Sequence, residues 1–276
     1  MDTLAQAGRF LADNGRDIDR ALFEHHFGRA PREDLPAALA RYQNADGGFG
    51  HALEVDITAP DSNPFATELA LLACLQAGVP REHPLLARAV AYLEETQDED
   101  GGWHFSEGVY RHELAPWFRA WAWPNLNPAC TLGGLLRELG LGSERLHGRV
   151  AVLFQRLARP EDLAGDDFYG VRPYAYYFLP EWEHPRRELY LSGVLWWLVR
   201  GHVAGTIADS PHFFEYVRGP HTYTGRRLPP RVLAERLDLL AAEQADDGGW
   251  PTPYNEAWRG WVTVQSLLVL HRFGRL

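Results

Sequence analysis

The segment GHALEVDITAPDSNP, residues 50–64, concentrates side chains that could donate or accept a proton. It holds His51, Glu54, Asp56 and Asp61 in a loop that precedes an apolar, helical stretch. A carboxylic acid that protonates a substrate must be held neutral yet acidic, and a nearby histidine or second carboxylate can tune it. We therefore predict Asp56 as a catalytic acid, His51 or Asp61 as its partner, and Glu54 as a substrate-binding residue. The alternative is that Asp61 caps the next helix and that Glu54 and Asp56 are solvated.

Two aromatic segments could line a binding cavity. WFRAWAWPNLNP, residues 117–128, contains Trp121 and Trp123, and residues 166–185 contain four tyrosines, among them Tyr174 and Tyr176. Aromatic faces stabilise cations and also stack on sugar rings, and the second segment is too long for an ordinary linker. We predict that Trp123, Tyr174 and Tyr176 bind substrate. The alternative is that these rings only pack against helix ends.

The sequence lacks the patterns of several other kinds of site. It contains no lysine, which excludes Schiff-base and P-loop chemistry. Neither the H-E-x-x-H spacing of a zinc site nor a G-x-S-x-G elbow is present. We therefore expect no metal and no cofactor. The net charge of −10 argues against nucleic acid as a partner, and Cys74 and Cys130 lie in apolar runs typical of free buried thiols.

Two features bear on localisation. The N-terminus has no basic region followed by an apolar run, so we expect no signal peptide. The most apolar stretch, LYLSGVLWWLVRGHVAG, is interrupted by Arg200 and His202 and predicts a buried helix rather than a transmembrane segment. A cytoplasmic protein is the resulting expectation.

The motif Q-x-x-D-G-G-[FW] recurs three times, at residues 43–49, 97–103 and 244–250. The spacings fit a repeat of about 50 residues with two degenerate copies between the second and third motifs. The glycines allow a positive φ where the chain reverses, and the aspartate can accept hydrogen bonds from the amides of the turn. The glutamine can tie down a helix end and the ring can pack across the turn. We interpret the motif as structural rather than catalytic.

The sequence around each motif predicts helices. An amphipathic stretch precedes it, and an almost wholly apolar stretch with T-x-x-x-L-L follows, at Thr67, Thr131 and Thr263. In two copies an Asn-Pro pair predicts the helix start, with Asn as cap and Pro at the first helical position. Outer amphipathic and inner apolar helices predict an all-α chain. We expect a single domain, residues 1–276, in which five or six helical hairpins close into an α/α toroid around a cavity.

The repeated motif resembles the QW repeat of squalene–hopene and oxidosqualene cyclases and of related prenyltransferase/squalene-oxidase-repeat proteins. The resemblance covers most of the chain and implies an α/α barrel like one domain of those enzymes, in which the repeats clamp helices together. It also implies a hydrophobic isoprenoid as the ligand. The family's D-x-D-D acid motif is absent, and so are the D-D-x-x-D motif that binds magnesium and the D-x-C of a zinc site. The resemblance therefore implies the fold and leaves catalytic activity open.

The leading functional hypothesis is a terpene-cyclase-like enzyme that holds an isoprenoid in an aromatic-lined cavity and starts its reaction with the acid Asp56. A second hypothesis is a carbohydrate-active enzyme, because helical barrels also carry paired carboxylates and stacked rings. A third is a toroid that binds a lipid or a protein without catalysis. Substrate identity and oligomeric state are left open by the sequence.

Overall fold

The computed structural model describes residues 2–28, 34–179, 182–207 and 209–276. These residues form fifteen α-helices and three short 3-10 helices, and their only β-type pairing is two isolated bridges. The all-α prediction is confirmed. In chain order the α-helices are α1 (Thr3–Asn14), α2 (Asp17–Phe27), α3 (Asp34–Leu39), α4 (Pro64–Gln76), α5 (Pro84–Thr96), α6 (Glu107–Tyr110), α7 (Pro116–Arg119), α8 (Leu126–Glu138), α9 (Glu144–Leu157), α10 (Phe168–Tyr177), α11 (Arg187–Ala204), α12 (Ser210–Glu215), α13 (Tyr223–Arg227), α14 (Pro230–Ala242) and α15 (Arg259–Arg272). The 3-10 helices are Ala40–Tyr42, Pro160–Ala164 and Glu256–Trp258.

The chain divides into two compact units. Unit 1 comprises Met1–Ala30, Leu163–Asp166 and Glu188–Leu276, and unit 2 comprises Pro31–Asp162 and Asp167–Arg187. In unit 1, α15 packs against α1, α2, α12 and α14; in unit 2, α8 packs against α4, α9 and α10. Each unit is thus built around one central helix. The closed toroid and the single-domain organisation stay predictions.

The predicted alternation of inner and outer helices appears in the burial of the side chains. Nearly every residue of α4 is buried, and so is nearly every residue of α8. By contrast, α5 and α9 bury only one face, as amphipathic helices on a surface do. Both cysteines are free and buried, as expected, because each lies on an inner helix.

The three repeated motifs form one kind of clip. In each, the glutamine Nε2 donates to a carbonyl oxygen within the motif and to a second one in the first turn of another helix. The second acceptors are Leu85 of α5 for the first motif, Leu146 of α9 for the second and Thr3 of α1 for the third, at 2.9, 3.1 and 3.0 Å. The third clip joins the C-terminal part of the chain to its first helix.

The glycine, aspartate and aromatic positions of the motif also make equivalent contacts in the different copies. The first glycine has a φ of +93 or +94° in all three copies, and a Cβ there would lie 2.3 or 2.4 Å from a backbone oxygen of the helix that the glutamine clips. The aspartate accepts the amide of the second glycine at 2.8 to 3.0 Å. Trp103 and Trp250 each donate Nε1 to a carbonyl of the helix before the motif, at 2.9 and 2.7 Å. These contacts agree with the structural interpretation of the motif.

Two local expectations need correction, and residues 166–185, whose structure the sequence left open, are defined. The cap of α4 is Asn63, as predicted, but α8 begins two residues earlier than expected, because Asn125 caps it, and Asn127 has non-helical torsions inside it. Residues 166–185 contain a helix, α10, although Pro173 lies within it. Helix α11 was expected to be buried, yet it exposes Trp196 and Val203, since only its other face packs. No helix in the described ranges combines the length and apolarity needed to cross a membrane.

Candidate functional site

The loop between the first motif and α4 carries the predicted acid. Asp56 is half-buried, and its carbonyl oxygen accepts the amide of Ala115 at 2.9 Å. Its own amide donates to Glu54 Oε1 at 3.3 Å. Two residues later, the amide and hydroxyl of Thr58 donate to the carbonyl of Glu113 at 3.1 and 2.8 Å. The loop is therefore held against the segment that leads into α7.

His51 and Asp61 lie on the same loop and have partners elsewhere. The exposed His51 is in the left-handed region, with a φ of +54°, and its Nε2 is 2.8 Å from Asn44 Oδ1. Asp61 Oδ2 is 3.8 Å from His112 Nε2. The alternative role of Asp61 as the cap of α4 is wrong, because Asn63 Oδ1 accepts the amide of Ala66 at 2.9 Å. The catalytic roles of these residues stay predictions.

Five rings pack together beside this loop and are named here the aromatic cluster. Ring centroids lie 4.7 Å apart for Phe65 and Phe118, and 5.1 Å apart for Phe105 and Trp123. The fifth member is Trp121, 5.2 Å from Phe65. The same core includes the fully buried Ile57, the residue after Asp56. The loop that carries the predicted acid thus contributes Ile57 to an aromatic core.

Trp123 and Trp121 are only partly buried in the aromatic cluster. Trp123 Nε1 donates to the hydroxyl of Tyr110 at 3.1 Å. The Nε1 of Trp121 is buried and has no hydrogen-bond partner. Trp123 packs against the same core as Ile57, so this predicted substrate-binding ring lies beside the Asp56 loop.

Tyr174 and Tyr176 lie on α10 and are both buried. The Tyr174 hydroxyl donates to Asp162 and lies 3.1 Å from the Arg159 carbonyl oxygen. The ring of Tyr176 is 4.8 Å from the guanidinium carbon of Arg172. These contacts hold both rings in the packing of α10, and their role in binding a substrate stays a prediction.

A buried ion pair in unit 2 was missed by the sequence patterns. Arg172 Nη2 on α10 donates to Glu68 Oε1 on α4 at 2.5 Å. Burial raises the pKa of Glu68, and the charge of Arg172 opposes that shift. Glu68 Oε2 is buried without a partner. The available signal was a charged residue in the otherwise apolar stretch PFATELALLACLQ.

A second group that the patterns missed lies in and after the middle motif. Asp98, Asp100 and His104 place one possible metal-ligand atom each within 4.8 Å of one another. His104 Nδ1 is 3.4 Å from Asp98, and its Nε2 is 3.3 Å from Asp100. The His104 ring is 5.3 Å from that of Trp123. The three side chains pair with one another at the protein surface.

The comparisons with known proteins give one partial relationship. Drimenyl diphosphate synthase of Streptomyces showdoensis is 43% identical to this chain over 67 residues, which are 24% of this chain and 12% of that protein. No family model matches the sequence. No solved structure matches it either. A limited part of the chain is therefore similar to part of a terpene synthase.

Proposed function

We propose that the protein is a terpene-cyclase-like enzyme that holds a hydrophobic isoprenoid against the aromatic cluster and protonates it from Asp56. The observation that supports the proposal is that Ile57, the residue after Asp56, belongs to the aromatic core. The partial similarity to drimenyl diphosphate synthase supports an isoprenoid as the substrate class. His51 or Asp61, on the same loop, would adjust the acid, and Glu54 would bind the substrate.

In this mechanism, the Asp56 carboxyl transfers its proton to one carbon of an alkene. A C–H bond forms, the π bond breaks and a carbocation remains on the neighbouring carbon. The faces of Trp121 and Trp123 would stabilise that cation through their quadrupoles. A second alkene of the substrate can then attack the cation, and loss of a proton ends the reaction and restores the acid. The apolar surroundings limit capture of the cation by water.

The first test is a thermal-shift panel on the purified chain with squalene, farnesyl and geranylgeranyl diphosphates, and oligosaccharides. A ligand that binds only the folded state raises the melting temperature. We expect a shift with an isoprenoid. A shift with oligosaccharides alone would instead favour a carbohydrate-active enzyme, and no shift with any ligand would reject both small-molecule proposals.

The second test is turnover of the isoprenoid that binds, followed by mass spectrometry. We expect Asp56→Asn to lower kcat by at least a hundredfold because an amide cannot donate the proton. Asp13→Asn, which changes an exposed carboxyl on α1, is the control and should leave turnover unchanged. Full turnover by Asp56→Asn would remove Asp56 from the mechanism.

A further inference from the structure

Arg137, in the last turn of α8, is a cation held by ring faces. Its guanidinium carbon lies 4.4 Å from the ring centroid of Trp182 and 5.3 Å from that of Tyr177. Its Nη1 is buried without a hydrogen-bond partner. Within the described ranges, no ion pair joins this guanidinium to a carboxylate. A partly desolvated charge without a counter-ion is costly, and ring contacts offset only part of that cost.

Tyr177 presents a second unused donor beside Arg137. The residue is fully buried and its ring stacks on that of Phe154, with centroids 4.2 Å apart. Its hydroxyl is buried and lies near the Arg137 guanidinium, but no partner has ordinary hydrogen-bond geometry. Burial raises the pKa of Tyr177 to about 12, while the nearby charge of Arg137 acts in the opposite direction. The hydroxyl is therefore a neutral donor across the physiological range.

The charge of Arg137 acts on two nearby histidines. Burial lowers the pKa of His184, and the charges of Arg186 and Arg137 lower it further. Burial and Arg137 also lower the pKa of His147, whereas the hydrogen bond to the Leu141 carbonyl and the charge of Glu94 raise it. Glu94 is itself held by Arg145 at 2.8 Å. The lowered pKa values favour neutral histidines, so the cations beside these rings are Arg137 and Arg186, and in a chain of net charge −10 they favour an anion.

We propose that the half-buried Arg137 guanidinium, with the Tyr177 hydroxyl beside it, binds a phosphate-type oxyanion, the diphosphate head of an isoprenoid. This assignment rests on the proposed function for the isoprenoid part of the ligand. A planar guanidinium suits phosphate oxygens, and hydrogen bonds between charged partners are the strong ones. Arg137, Trp182 and His184 are all half-buried, so this cation retains an accessible side. The stacked rings of Phe178 and Trp182 provide apolar surface next to the anion.

The test is calorimetric titration with inorganic diphosphate, farnesyl diphosphate and farnesol. We expect Arg137→Gln to weaken binding of both diphosphates by ten- to a hundredfold, and Tyr177→Phe to weaken it several-fold. Arg81→Gln removes an exposed guanidinium that pairs with Glu82 and should leave affinity unchanged. Circular dichroism confirms that each variant is folded, and Tyr177→Phe keeps the test valid if Arg137→Gln does not fold.

The outcomes separate this site from the proposed function. Binding of inorganic diphosphate that depends on Arg137, without turnover of any isoprenoid, would keep the oxyanion site and reject the enzyme. Turnover of squalene without binding of any diphosphate would keep the enzyme and reject the site. Equal diphosphate affinity in the native protein and Arg137→Gln would overturn the assignment.

Discussion

Unit 2 contains two arginines that contact aromatic faces, and they differ in what balances their charge. Arg172 lies against Tyr176 and is paired with the buried carboxylate of Glu68. Arg137 lies against Trp182 and has no carboxylate partner among the described residues. The charge of Arg172 is balanced within the fold by Glu68, whereas an unpaired cation can still bind an anionic ligand. The first arginine is therefore structural, and the second can serve a ligand.

The largest change in stability should follow from breaking the ion pair between Glu68 and Arg172. Glu68→Ala removes the carboxylate that pairs with the partly buried Arg172, so we expect the free energy of unfolding to fall by about 3–5 kcal/mol. Urea denaturation measures this change. Replacing both partners by methionine should cost much less, because no charge is left unpaired. A loss below about 1 kcal/mol for Glu68→Ala would mean that Arg172 does not need its carboxylate partner, and the contrast with Arg137 would fail.

An intermediate effect should separate two tyrosines of α10. The Tyr174 hydroxyl bonds Asp162 and accepts the amide of Arg159 at 3.0 Å, so Tyr174→Phe should destabilise the fold by about 2 kcal/mol. The Tyr177 hydroxyl has no partner of ordinary hydrogen-bond geometry among the described residues, so Tyr177→Phe should leave stability unchanged or raise it by up to about 1 kcal/mol. Equal losses in both variants would show that the Tyr177 hydroxyl is satisfied by the fold.

The sequence predicted the repeated features well because they are local. The Q-x-x-D-G-G turn depends on a glycine φ and on hydrogen bonds within seven residues, and the inner helices follow from continuous apolar runs. The pair Glu68 and Arg172 joins residues 104 positions apart. Such a pairing depends on which helix faces meet, and a single sequence contains no direct signal for that.

The oxyanion site was missed for a related reason. The sequence drew attention to the aromatic residues of 166–185, but the partner Arg137 comes from the end of a different helix. An arginine in the last turn of a helix is also common, because it interacts favourably with the helix dipole. Only the packing of α10 on α8 makes this arginine unusual. The Asp56 loop, by contrast, is contiguous, so sequence could select it although its chemical role stays a prediction.

The smallest expected effect is a change in two histidine pKa values, which reports the charge of Arg137 in the absence of any ligand. Because this cation lowers the pKa values of His184 and His147, Arg137→Gln should raise both, as measured by NMR titration of the histidine ring protons. His26 is an internal control, since its pKa is lowered to about 4 by burial and by charges from other residues.

The sign of the accompanying stability change also follows. A histidine whose folded pKa is lowered binds fewer protons in the native state than in the unfolded chain, so stability is lost as the pH falls below the ordinary value of 6.5. Removing Arg137 should make that loss smaller. If the pKa values of His184 and His147 stay unchanged in Arg137→Gln, a neighbouring anion already neutralises the guanidinium. The contrast with the paired Arg172 would then disappear.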